Sequence, residues 1–118
     1  MDRELFESEA KVMEIVWNRF PISAKEISLI AAKTIGWNKN TTYTVIKKLV
    51  EKGFLYREEP GFMCSPAVSK TEMQKKAAFS LLRRVFGGSK KALFSSLLNG
   101  EKLSEEERKE LLKLIERR

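Results

Sequence analysis

A chain of 118 residues has room for one modest domain or two small ones, and its 42% hydrophobic and 33% charged residues suit a soluble, helix-rich globule. The formal net charge of +7 and a pI near 9.6 favour a polyanionic partner. With no histidine and a single cysteine, Cys64, the commonest general base, an intramolecular disulfide and any multi-cysteine metal site are excluded; no cofactor, no metal and no enzymatic activity are expected.

The N-terminal run MDRELFESEAKVMEIVW is too charged for a signal peptide, and no apolar run approaches membrane-spanning length. A cytoplasmic chain without membrane insertion is therefore expected. Val12, Met13, Val16, Trp17 and Phe20 recur at helical spacing and predict a helix from Ser8 to Phe20, ended by Pro21. In ISAKEI, Ser23 reads as an N-cap, Glu26 as its capping-box partner and Ile22 as a staple to Ile27, so a second helix is expected from Ala24 to about Lys33. Asn38 then caps a third helix, Lys39 to Lys52, which Gly53 stops. FLYREEPGFMCSP holds two short β-prone runs around Glu58-Glu59-Pro60-Gly61, the pattern of a small hairpin. Ser69 with Glu72, Ser89, and Ser104 with Glu107 cap three further helices, the first broken by Gly87-Gly88 and the second ending at Asn99-Gly100. The boundary between two domains falls near Ser69, giving residues 1–68 and 69–118.

The third helix carries the functional signal. Asn and Thr are poor helix formers, yet NKNTTYT opens a strongly amphipathic helix. Thr42, Val45, Ile46 and Leu49 form one inward stripe, which leaves Asn40, Thr41, Tyr43, Thr44, Lys47, Lys48 and Glu51 outward. Short polar side chains in the first turns can reach base edges, and the long cations behind them can reach phosphates. The charge is placed accordingly: residues 39–57 hold Lys39, Lys47, Lys48, Lys52 and Arg57 against Glu51 alone. Two helices, this helix and a hairpin in that order make a winged helix-turn-helix. The fold class expected is thus mainly α with a small β-hairpin wing, a winged helix-turn-helix DNA-binding domain followed by a three-helix dimerisation domain. Lys39, Asn40, Thr41, Tyr43, Thr44, Lys47, Lys48 and Arg57 are the candidate DNA-binding residues. The competing reading is a winged-helix protein–protein interaction module without specific DNA binding, for which the acidic Glu58-Glu59 pair leaves room. Three short helices cannot build a large core alone. Met73, Ala77, Leu81, Leu93, Leu97, Leu111, Leu112 and Ile115 are therefore the candidate surface for a homodimer.

EAKVMEIVW, SAKEI and WNKNTTYTVIKKLVEKGFL, together with FGGSKKAL and LSEEERKELLKLIE, resemble the penicillinase repressor family of bacteria, the BlaI/MecI group. The resemblance spans nearly the whole chain, and Trp37 to Leu55 is its most specific part. It implies a homodimeric transcriptional repressor on a palindromic double-stranded operator, with a role in antibiotic resistance. By position, Asn40, Thr41, Tyr43, Thr44 and Lys48 match the recognition-helix residues that approach DNA. The resemblance also implies a membrane-bound sensor protease as a partner and a cleavage bond in the C-terminal domain, which aligns with Ser96-Leu97. The chain departs from the family pattern in three places: Asn40 stands where a lysine is usual, Phe62-Met63-Cys64 follow the wing's Gly61, and Ser96-Leu97 replaces the usual Asn-Phe. The paired CxC motifs of copper-responsive relatives are missing.

Overall fold

The computed structural model describes residues 4–100 and 104–116, side chains at 100, 111 and 114–116 excepted. Six helices and three short strands follow in the order α1 (Glu7–Asn18), β1 (Ile22–Ser23), α2 (Ala24–Thr34), α3 (Lys39–Lys52), β2 (Leu55–Glu58), β3 (Met63–Pro66), α4 (Lys70–Phe86), α5 (Lys90–Gly100) and α6 (Glu105–Glu116). The chain divides into two compact units, Met1–Lys75 and Lys76–Arg118, and α4 runs through the division.

Helix boundaries follow the caps. Ser23 Oγ accepts the Glu26 N–H at 3.1 Å, and Asn38 Oδ1 accepts the Thr41 N–H at 2.8 Å. Ser69, Ser89 and Ser104 accept from Glu72, Ala92 and Glu107 in the same way. Each bond satisfies one of the N–H groups that a helix start leaves open, worth about 1 kcal/mol. At the end of α3, Gly53 takes φ 84°, while its own N–H and that of Phe54 return to Val50 and Leu49. This left-handed closure is costly for any side chain but glycine.

In the first unit, α1, α2 and α3 enclose a core of Val12, Met13, Val16, Ile22, Ile27, Val45, Ile46 and Leu49, with Phe54, Leu55 and Cys64 contributed by the strands. A fully buried aliphatic side chain of this kind stabilises by about 1.5–3 kcal/mol. The sheet is antiparallel in the order β1-β3-β2, with Ile22 opposite Cys64 and Arg57 opposite Cys64 from the other side. The start of α4 is tied back to α1: Trp17 Nε1–H donates to the Val68 carbonyl at 3.0 Å, and Lys70 pairs with Glu14 at 2.9 Å.

Four expectations are corrected. The first helix stops at Asn18, and Phe20 lies beyond it with 56% of its surface exposed, so it is no part of the core stripe. Ile22–Ser23 is a strand, which makes the wing sheet three-stranded. Glu26 directs its carboxylate to Arg19 at 2.7 Å, rather than back to the cap. Met73, placed with the dimer surface by its spacing, packs into the core of the first unit.

In the second unit Leu82 is buried, whereas Phe79, Leu81, Val85, Leu97 and Leu112 stay exposed. Ala77 is exposed and Leu93 half-buried; the side chains of Leu111 and Ile115 lie outside the described residues.

Candidate nucleic-acid interface

Helix α3 divides by its own periodicity. Thr42, Ile46 and Leu49 are fully buried and Val45 nearly so, which fixes the rotation of the helix on the core. The opposite face presents Lys39, Asn40, Thr41, Thr44, Lys47 and Lys48, all exposed, with Tyr43 half-buried at its edge. The α3 side chains named from the sequence therefore share one solvent-facing surface that runs from the first turn of the helix to Lys48, while Arg57 stands on β2.

Two threonines at the helix start have engaged hydroxyl protons. Thr42 Oγ1–H donates to the Asn38 carbonyl at 3.2 Å, and Thr44 Oγ1–H donates to the Asn40 carbonyl at 2.8 Å. Thr44 thus offers a ligand its methyl group and oxygen lone pairs rather than a donor. That set matches the thymine methyl and the amino groups of adenine or cytosine in the major groove.

The wing meets this helix through a stack of rings and cations. Lys39 Nζ lies 5.7 Å from the Tyr43 ring centre, and Tyr43 meets Phe62 edge to face at 6.0 Å and 83°. The Arg57 guanidinium sits 3.6 Å over the other ring, that of Phe62. Such contacts are individually worth about 0.5–1.5 kcal/mol, and in series they set where the wing stands relative to α3. Phe62 occupies the left-handed region, φ 49°, immediately after Gly61 at φ 89°. This strain is held by one backbone bond and one side-chain bond: the Phe62 carbonyl accepts the Ala24 N–H at 3.0 Å, and the Phe62 N–H donates to Glu59 Oε1 at 3.2 Å. Glu59 Oε2 in turn accepts the Arg57 Nε–H at 2.6 Å. The Arg57 bond, then that of the Phe62 N–H, hold the Glu59 carboxyl below its ordinary range.

Lys52 belongs to the core side of the molecule. Its Nζ donates to Glu9 Oε1 at 2.8 Å and to the Glu4 carbonyl at 3.1 Å, and lies 4.0 Å over the Phe6 ring. Glu9 itself is buried, so the cation is committed to an internal pair and leaves the charge patch counted from the sequence. Sequence spacing could not show this, because the partners stand 43 positions apart. The Arg57–Glu59 pair is local, two positions apart, but Glu59 lies in the turn just beyond β2, so strand alternation does not announce it. Burial pushes the Cys64 thiol up to about 11, against a smaller opposing effect of Arg57. Among the described residues, no group of three His, Cys, Asp or Glu side chains is placed to hold a metal ion.

Known proteins share this architecture. The penicillinase repressor family model matches residues 5–117. The penicillinase repressor of Bacillus licheniformis is 26% identical over 96% of this chain and 90% of its own length. The methicillin resistance regulatory protein MecI of Staphylococcus aureus is 26% identical over the full length of both chains. Among solved structures, the monomeric form of B. licheniformis BlaI in complex with the blaP half-operator superposes with a TM-score of 0.52 at 25% identity, covering 59% of this chain and 88% of that one.

Proposed function

The chain belongs to the penicillinase repressor family, and on that premise we propose that it is a DNA-binding transcriptional repressor, acting as a homodimer on a two-fold symmetric operator. The observation that carries the reading is the division of α3. Its apolar stripe is consumed by the core, and its polar, cationic stripe is left facing solvent beside a wing. The relative solved with a half-operator superposes on 59% of this chain. Lys39, Lys47 and Lys48 would hold phosphates, while Asn40, Thr41, Tyr43 and Thr44 would meet base edges. Occupying promoter DNA would suffice for repression, and no reaction is catalysed. Leu81, Val85 and Leu97 supply apolar surface for a second copy. Ser96 and Leu97 are exposed in α5, where cleavage by a sensor protease would separate α6 from the rest of the chain.

The deciding experiment is selection of random duplex DNA by the purified protein, followed by titration of the enriched sequences against salt. A two-fold symmetric motif with half-sites about one helical turn apart is expected. No enrichment, with only weak salt-sensitive binding, would replace this reading by a protein-interaction module.

A further inference from the structure

We propose that Glu59 is an intramolecular stand-in for a DNA phosphate, occupying Arg57 in the free protein so that the wing must exchange one anion for another when it binds. The inference rests on the DNA-binding reading above and assigns the wing a part in setting its affinity.

Arg57 is the only lysine or arginine between positions 53 and 69, so the wing has one cation to give a backbone phosphate. That cation is engaged. Its Nε–H reaches Glu59 Oε2 at 2.6 Å, and its guanidinium carbon lies 3.6 Å from the centre of the Phe62 ring. The carboxylate is itself positioned, because its second oxygen takes the Phe62 N–H at 3.2 Å, and the Phe62 carbonyl is anchored to Ala24 at 3.0 Å. A phosphate approaching Arg57 would meet a fixed negative charge already seated there. Both side chains remain open to solvent, 43% and 57% exposed, so the pair can be exchanged without unfolding the wing. Glu58, one residue away, offers the same charge on the opposite face of the sheet. It stands opposite Met63, whereas Arg57 stands opposite Cys64.

The test uses a random-sequence duplex of about two helical turns, titrated by fluorescence anisotropy at several salt concentrations. In Glu59→Gln the amide oxygen still accepts the Phe62 N–H, so the turn is kept while the charge is removed. Its affinity should rise about two- to fivefold. The plot of log affinity against log salt should also steepen by up to about 0.9, one added phosphate contact. Glu58→Gln removes the same charge and should give a smaller gain with no change of slope. Unchanged or weaker binding by Glu59→Gln overturns the proposal, as does an equal gain in Glu58→Gln or a gain that persists alongside Arg57→Ala. Because the probe carries no operator, a wild-type protein without sequence preference would refute the repressor reading and leave this comparison readable. A clear preference without the Glu59→Gln gain would refute the stand-in alone.

Discussion

Thr44 and Lys48 stand one turn apart on α3, both exposed, yet their chemistry separates what each would do on DNA. Thr44 has its hydroxyl proton committed to the Asn40 carbonyl, so its methyl and lone pairs remain for a base edge. Lys48 is a mobile point charge suited to a phosphate. Thr44→Ala should therefore cost about 1 kcal/mol or more on the preferred site and little on other sequences. Lys48→Ala should weaken every sequence alike and flatten the salt dependence by about one phosphate. Equal losses on all sequences for Thr44→Ala would refute its part in base readout. Cys64 makes the opposite case, a reactive residue type made inert by its place. It is fully buried, and burial pushes its thiol up to about 11, so at pH 8 the thiolate is scarce. Alkylation in the native protein should run at least about 100-fold slower than in the unfolded chain. Comparable rates in the two states would mean that the wing opens readily and that a thiol-based switch is open to it.

Between elements, two ion pairs join α1 to its neighbours and differ chiefly in burial. Lys52–Glu9 is largely withdrawn from water at 2.8 Å, and Lys70–Glu14 is exposed at 2.9 Å. Lys52→Met strands a buried carboxylate whose Oε2 already has no partner. It should lower stability in urea melts by about 2–4 kcal/mol. Lys70→Met should change it by about 0.5 kcal/mol or less. Equal effects would show that the Glu9 carboxylate is hydrated after all. The contrast also marks what the sequence could reveal. Caps and periodicity act within a turn or two, so Asn38, Gly53 and the stripe through Thr42, Ile46 and Leu49 declared α3 and its exposed face. Strand β1, with two residues, has no period to read. The cation of Lys52 looked like its neighbours Lys47 and Lys48 until the fold brought Glu9 against it. Met73 had a dimer-like spacing but is buried in the core of the first unit. Local order was legible; the pairings made by tertiary contact were not.

At the scale of the whole molecule, the second unit leaves Leu81 and Val85, one turn apart on α4, exposed by 39% and 64%. Apolar neighbours of that kind fit a subunit interface. Leu81→Glu should turn a dimer into monomers in sedimentation equilibrium while the far-ultraviolet circular dichroism is kept. It should also lower operator affinity more than half-site affinity. A wild-type chain that stays monomeric at micromolar concentration, or a Leu81→Glu variant that still dimerises, would defeat the homodimer. The bond from the Ala24 N–H to the Phe62 carbonyl has a mechanical meaning for such a reader. It fastens the first residue of α2, the helix against which α3 packs, to the tip of the wing, so the proposed reading helix α3 and the wing would behave as the two jaws of a fixed gauge. A duplex whose groove is too narrow or too wide would lose both contacts together, because neither jaw can follow the DNA alone. Discrimination by groove width would then come at base pairs that no side chain touches.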